Sequence, residues 1–117
     1  MDGIKRLIRT NTIRIKIRRE LGGQDWLDIT QLVVNFFPKL IHAFEEADTS
    51  FQEKTSTYPP EYYELFVRPA VVVLPLKEAD ELIRNLEEKT STKFSEGSFR
   101  VCFDGKHYTI SVEYPCG

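Results

Sequence analysis

Reactive side chains are scarce in this chain. Of its 117 residues, two are cysteines, Cys102 and Cys116, and two are histidines, His42 and His107. Two cysteines do not make a disulfide framework, and reduced thiols fit a cytosolic setting. No CxxC or HxxxH spacing occurs, so the convergent thiolates and imidazoles of a zinc site are missing. Glycine is sparse too. Gly22-Gly23 leads into Gln24-Asp25-Trp26 rather than Gly-Lys-Ser, which argues against a phosphate-cradling loop. The longest apolar runs, such as residues 70–74, fall far short of the roughly 18 residues of a membrane span. Residues 2–9 carry charge instead of an apolar signal segment. The expectation is a soluble, cytoplasmic protein with no membrane partner, no metal and no cofactor.

What is there is ordinary in amount and uneven in placement. With 41% hydrophobic and 29% charged residues, disordered, collagen-like and coiled-coil classes are excluded. The length suits one domain that buries roughly two thirds of its unfolded surface. Charge is asymmetric. Residues 1–19 hold seven basic side chains against Asp2 alone, a net +6. Residues 20–117 hold nine basic and seventeen acidic side chains, a net −8. Such asymmetry bears on partners rather than on fold.

Thr12–Arg19 alternates Ile13, Ile15 and Ile17 with Arg14, Lys16 and Arg18, the pattern of a strand with one apolar and one charged face. Gly22-Gly23 then signals a hairpin, with 25–29 as the return strand. A three-residue loop puts Leu27 and Ile29 with the isoleucines, whereas a two-residue loop would bury Asp28 against Ile17. Leu32, Val33, Phe36, Phe37, Leu40, Ile41 and Phe44 form a helical stripe. One helix over 29–47 is expected, kinked at Pro38, with Asp28 and Gln31 as a capping box. Residues 48–60 read as a polar loop, and Pro60 opens a short helix. Residues 69–74 read as a strand apolar on both faces, hence central and covered on both sides. Pro75 opens another helix, with Ala79, Leu82, Ile83 and Leu86 inward and an end near Lys89.

Asp104-Gly105 between two alternating segments is a two-residue hairpin turn. Its register pairs Phe103 with Lys106, Val101 with Tyr108 and Phe99 with Ile110, and sets Cys102 opposite His107. Cys116 then lies roughly 30 Å along the strand from His107, which disfavours a bridge to Cys102. The resulting order is β-β-α-(α)-β-α-β-β. The expected fold is α+β: a single domain over residues 1–117, with a mixed or mostly antiparallel sheet of about five strands and two main helices on one face.

No catalytic group is expected. Cys102 with His107 is the only thiol–imidazole candidate for nucleophilic chemistry, and it sits near a hairpin tip as a surface pair. His42 falls on a polar helix face. The carboxylate pairs Glu45-Glu46, Asp80-Glu81 and Glu87-Glu88 lie on solvated helix faces, with no apolar neighbour to raise a pKa. Recognition remains, and two features suggest contact surfaces. Arg14, Lys16 and Arg18 project from one strand face about 6.6 Å apart, where like charges repel unless something negative covers them. The bland reading of these cations is an edge strand guarded by charge, or a strand neutralised by the chain's own acidic helices. Tyr58, Tyr62 and Tyr63 crowd one segment, and tyrosines favour interfaces. The sequence reads as a small protein-interaction module (an adaptor, inhibitor or immunity-type binding protein). Its expected partner is another protein of acidic character or a second copy in a homodimer. Nucleic acid is the alternative partner. The acidic remainder of the chain argues against it, as does the lack of aromatics interleaved with the cations.

Overall fold

Isoleucines at every second position commit Thr12–Arg19 to a strand, β1, whose three isoleucines are all buried. The computed structural model describes residues 12–23, 25–91 and 98–113. Tyr114 and Cys116, and the basic residues Lys5, Arg6 and Arg9, lie outside them. The remaining strands are β2 (Leu27–Asp28), β3 (Ala70–Pro75), β4 (Phe99–Phe103) and β5 (Lys106–Glu113). The helices are α1 (Thr30–Phe36), α2 (Lys39–Thr55), α3 (Tyr63–Phe66) and α4 (Leu76–Thr90), with a 3-10 turn, Pro60–Tyr62, leading into α3. The fold is α+β, a five-stranded mixed sheet in the order β2-β4-β5-β1-β3 with its main helices on one face.

The C-terminal hairpin has the register the turn and the apolar pattern require. Phe103 pairs with Lys106, Cys102 with His107 and Val101 with Tyr108. Phe99, Val101, Phe103, Tyr108 and Ile110 point into the core. There Phe44 of α2 stacks on Phe103 with ring centroids 4.3 Å apart and meets Tyr108 edge-on at 4.8 Å. Burial pushes the Tyr108 phenol up to about 12. In α4, Ala79, Leu82, Ile83 and Leu86 are buried as the periodicity demands, and the helix ends in a left-handed Ser91.

Four expectations are corrected. First, β1 and β2 do not form a hairpin. β1 lies inside the sheet, antiparallel to β3 on one side and to β5 on the other. β2 runs parallel to β4 at the far edge. An interior strand must satisfy backbone groups on both edges. Two residues of β2 could not do this for β1, whereas β5 pairs from Arg14 to Arg19 and β3 from Thr12 to Ile17. β1 is therefore not an edge strand guarded by its cations.

Second, β3 is not central but the opposite edge strand. Val71 and Val73 are 40% and 54% exposed. Third, the helix over 29–47 is two helices broken at Phe37-Pro38. Phe37 takes φ −132° and ψ 54°, because the residue before a proline is disfavoured in helical geometry. The break turns Phe37 inward and leaves Phe36 71% exposed, off the stripe assigned to it. Beyond it, α2 runs on to Thr55 with Ala47 and Phe51 buried, so 48–55 is helix and not loop. Fourth, the capping box does not form. Asp28 instead accepts from the Thr30 backbone N–H at 2.9 Å and from its hydroxyl at 2.6 Å. These bonds hold the Asp28 carboxyl below its ordinary value.

Candidate functional site

The described helices cover one face of the sheet, so the alternate residues of each strand stand on the other. From β1 these are Arg14, Lys16 and Arg18, and across the register they meet Glu113, Ser111 and Thr109 of β5. On β1's other side Arg14 meets Val73 and Lys16 meets Val71. The three cations do share one face. Lys16 pairs with Glu113 at 3.0 Å, and that contact, with the Arg14 charge, holds the Glu113 carboxyl below its usual range. Arg18 donates from Nη2 to the carbonyl oxygens of Tyr63, at 3.3 Å, and Glu64, at 2.9 Å. A guanidinium with several fixed donors suits this double contact, which fastens α3 to the sheet. Arg14 is the exposed member of the three.

Of the three tyrosines, Tyr63 belongs inside that junction. Its ring meets Phe51 at 6.2 Å and its hydroxyl donates to the Thr55 carbonyl at 3.4 Å. Tyr58 and Tyr62 gather on Phe66, with Tyr58 stacked at 4.3 Å and Tyr62 tilted at 6.2 Å. Leu65 beside them is 73% exposed and Tyr62 44%. The structure thus brings Arg18 to Tyr63, and it leaves Tyr58 and Tyr62 on a separate aromatic patch. A cleft of about 380 Å³ opens beside the junction, lined by Arg18, Arg19, Glu20, Trp26, Tyr63 and Glu64 among others. Two of its polar lining groups are already engaged by residues outside it. Glu20 accepts from the Thr109 hydroxyl at 3.0 Å, and Arg19 binds Asp48 at 3.1 Å.

Arg19 and Asp48 form a contact that the sequence did not announce. Asp48 of α2 accepts from Arg19 and, at 2.8 Å, from Lys106 of β5. The Arg19 guanidinium lies 4.6 Å from the centroid of the Phe51 ring, close enough for a cation–π contact. Desolvation pushes the Asp48 carboxyl up, but hydrogen bonds from Lys106, Gln52 and Arg19 outweigh it and hold it below the usual carboxylate range.

Cys102 and His107 are cross-strand neighbours on the face turned away from the described helices. The loop after β1 lies over them. Trp26 meets His107 edge-on at 5.1 Å, and a methyl group on Gly22 would come within 2.6 Å of the imidazole Nδ1. The Cys102 thiol donates to the Trp26 carbonyl at 3.5 Å. Burial first, and the Asp28 charge second, push the thiol up, away from the thiolate that nucleophilic chemistry needs. Among the described residues, no group of three or more His, Cys, Asp or Glu side chains is placed to hold a metal ion. No helix among them is long and apolar enough to cross a membrane.

The feature that reading the sequence missed is the outer edge of β3. Among the described residues no strand pairs with it. It presents Val71 and Val73 beside Arg14 and Lys16 on the face turned away from the described helices, and Leu76, just beyond, is 38% exposed. Edge strands usually carry lysines, bulges or inward charges that block further pairing. Ala70–Pro75 carries no charged residue. The signal was in the sequence as Pro69 and Pro75, since proline in sheets keeps to edges and strand ends. Comparison with protein-family models, with curated proteins and with solved structures finds no match for this chain.

Proposed function

We propose that this chain is a small protein-interaction module, without catalytic activity of its own, that binds by accepting an extended strand at β3. The observation that carries the reading is the uncharged edge of β3, unpaired among the described residues, with Val71 and Val73 exposed on it. Strand addition takes its affinity from backbone hydrogen bonds and its specificity from alternate side chains. The acceptor strand here offers two valines to one face of an incoming segment. Arg14 and Lys16, one strand further in, favour acidic side chains flanking that segment. The aromatic patch of Tyr58, Tyr62 and Phe66 lies near the start of the same strand in sequence and suits the rim of such an interface.

The internal engagement of Lys16, Arg18 and Arg19 leaves less of the basic strand for a phosphate backbone, so protein recognition is the better supported reading. The test is affinity capture with the wild type and with Val71→Lys/Val73→Lys. The reading predicts at least a tenfold loss of the captured partner in the variant, with circular dichroism unchanged. Equal capture by both proteins would overturn it. Salt-sensitive retention of DNA or RNA by both proteins, lost in Arg14→Glu, would favour nucleic acid instead.

A further inference from the structure

We infer that the strand added to β3 is β3 of a second copy of this chain, antiparallel and centred on Val72. The inference rests on reading the β3 edge as the recognition surface, and it names the occupant.

Residues 69–75 read Pro-Ala-Val-Val-Val-Leu-Pro, a segment that is nearly symmetric in residue type about Val72. Antiparallel pairing centred there sets Val71 opposite Val73 of the other copy, and Val73 opposite Val71. Ala70 falls opposite Leu74 and Leu74 opposite Ala70, so the smallest side chain of the strand meets the largest. Directly opposed residues share a face. Val71 and Val73 would therefore form a four-valine strip on the side of both copies turned away from the described helices. Ala70, Val72 and Leu74 already face the helices. The two sheets would join into one of ten strands with all main helices on one side, related by a twofold axis through the sheet. This is the self-complementary geometry of an isologous contact.

The prolines select this register. Pro69 and Pro75 stand three residues either side of Val72, so they fall opposite each other at the two ends of the ladder. A slip of two residues would carry a proline into the paired stretch, where it has no N–H to donate. Charge is compatible as well. No charged side chain lies between Arg68 and Lys77, so pairing sets no like charges opposite one another. The cations of β1 stay one strand inward on each copy. Three strand spacings, about 14 Å, separate them across the axis, which is beyond the screening length of about 8 Å at physiological salt. The other edge of the sheet, β2, is two residues long and offers no comparable ladder. A five-residue ladder is short for a standard interface of about 1,600 Å², so the dimer is expected to dissociate on dilution.

Sedimentation velocity across a concentration series tests this. Wild type is expected to shift toward twice the chain mass as concentration rises. Val71→Lys/Val73→Lys and Val71→Glu/Val73→Glu should each stay monomeric, because like charges then face each other across the axis. An equimolar mixture of the two variants should recover the dimer, since the register sets each introduced lysine opposite an introduced glutamate. Circular dichroism of both variants checks that these exposed substitutions leave the fold intact. A wild type that is monomeric at every concentration, a dimer that survives the lysine pair, or a mixture that fails to associate would each overturn self-pairing. These results leave the wider reading of β3 standing or falling on the capture experiment, where a different protein would lose its hold on the lysine variant.

Discussion

Asp48 joins three elements through one carboxylate. It binds Arg19 of β1 and Lys106 of β5, and it belongs to α2. Both Arg19 and Asp48 are largely shielded, at 13% and 16% side-chain exposure. The contact should therefore exceed a surface ion pair without reaching a fully buried one, about 2 kcal/mol. Because the folded protein holds the Asp48 carboxyl below its ordinary value, the stabilisation is complete above the unfolded-state value of about 4. It is lost as pH falls through the lower, folded-state value. Asp48→Asn is expected to lower the urea midpoint clearly at pH 7 and to differ little from wild type near pH 2. A second residue-scale prediction concerns Gly22. Its φ of +102° and the nearby His107 ring leave no room for a side chain. Gly22→Ala should destabilise by about 1–3 kcal/mol, read as a fall in melting temperature. The conformational part of that requirement was legible as Gly22-Gly23, but its purpose was not. The glycine serves a close approach to the β4–β5 hairpin instead of a tight turn back along β1.

Each element's character was easier to read than its neighbours. The β4–β5 hairpin could be registered residue by residue, because Asp104-Gly105 and the alternation of Phe99, Val101 and Phe103 constrain the same pairing. The inward face of α4 followed from four residues at helical spacing. β1 was recognisable as a strand, yet nothing within Thr12–Arg19 says which strands flank it. That choice depends on chain segments more than 50 residues away, and local pattern does not encode it. The β3 assignment failed for a related reason. A strand apolar on both faces is usually buried on both, whereas among the described residues one face of β3 is exposed beside an edge with no partner strand. Arg18 illustrates an element held by a distant residue, since its guanidinium binds the carbonyls of Tyr63 and Glu64 at the start of α3. Arg18→Ala should speed amide exchange across residues 62–67 while leaving β4 and β5 protected. Uniform protection in the variant would show that α3 holds its place without that contact.

At the scale of the molecule, the sheet has one edge of two residues and one of six, and the longer one is uncharged. The asymmetry of charge that the sequence displays partly closes on itself. Lys16 finds Glu113, Arg19 finds Asp48 and Arg18 finds backbone carbonyls. Lys16, Arg18 and Arg19 are thus engaged within the fold, and Arg14 is the exposed cation of the strand. The tyrosine segment divides in the same way, Tyr63 inward and Tyr58 with Tyr62 outward. The sheet order shows that, among the described residues, the exposed valines of β3 stand beside a strand edge with no partner. A photo-crosslinking amino acid placed at Val73, compared with one at Phe36, an exposed apolar residue of the helix layer, tests this most directly. The account predicts protein adducts from position 73, whether with a second copy or with another chain, and none from position 36. Adducts from position 36 with position 73 silent would contradict it.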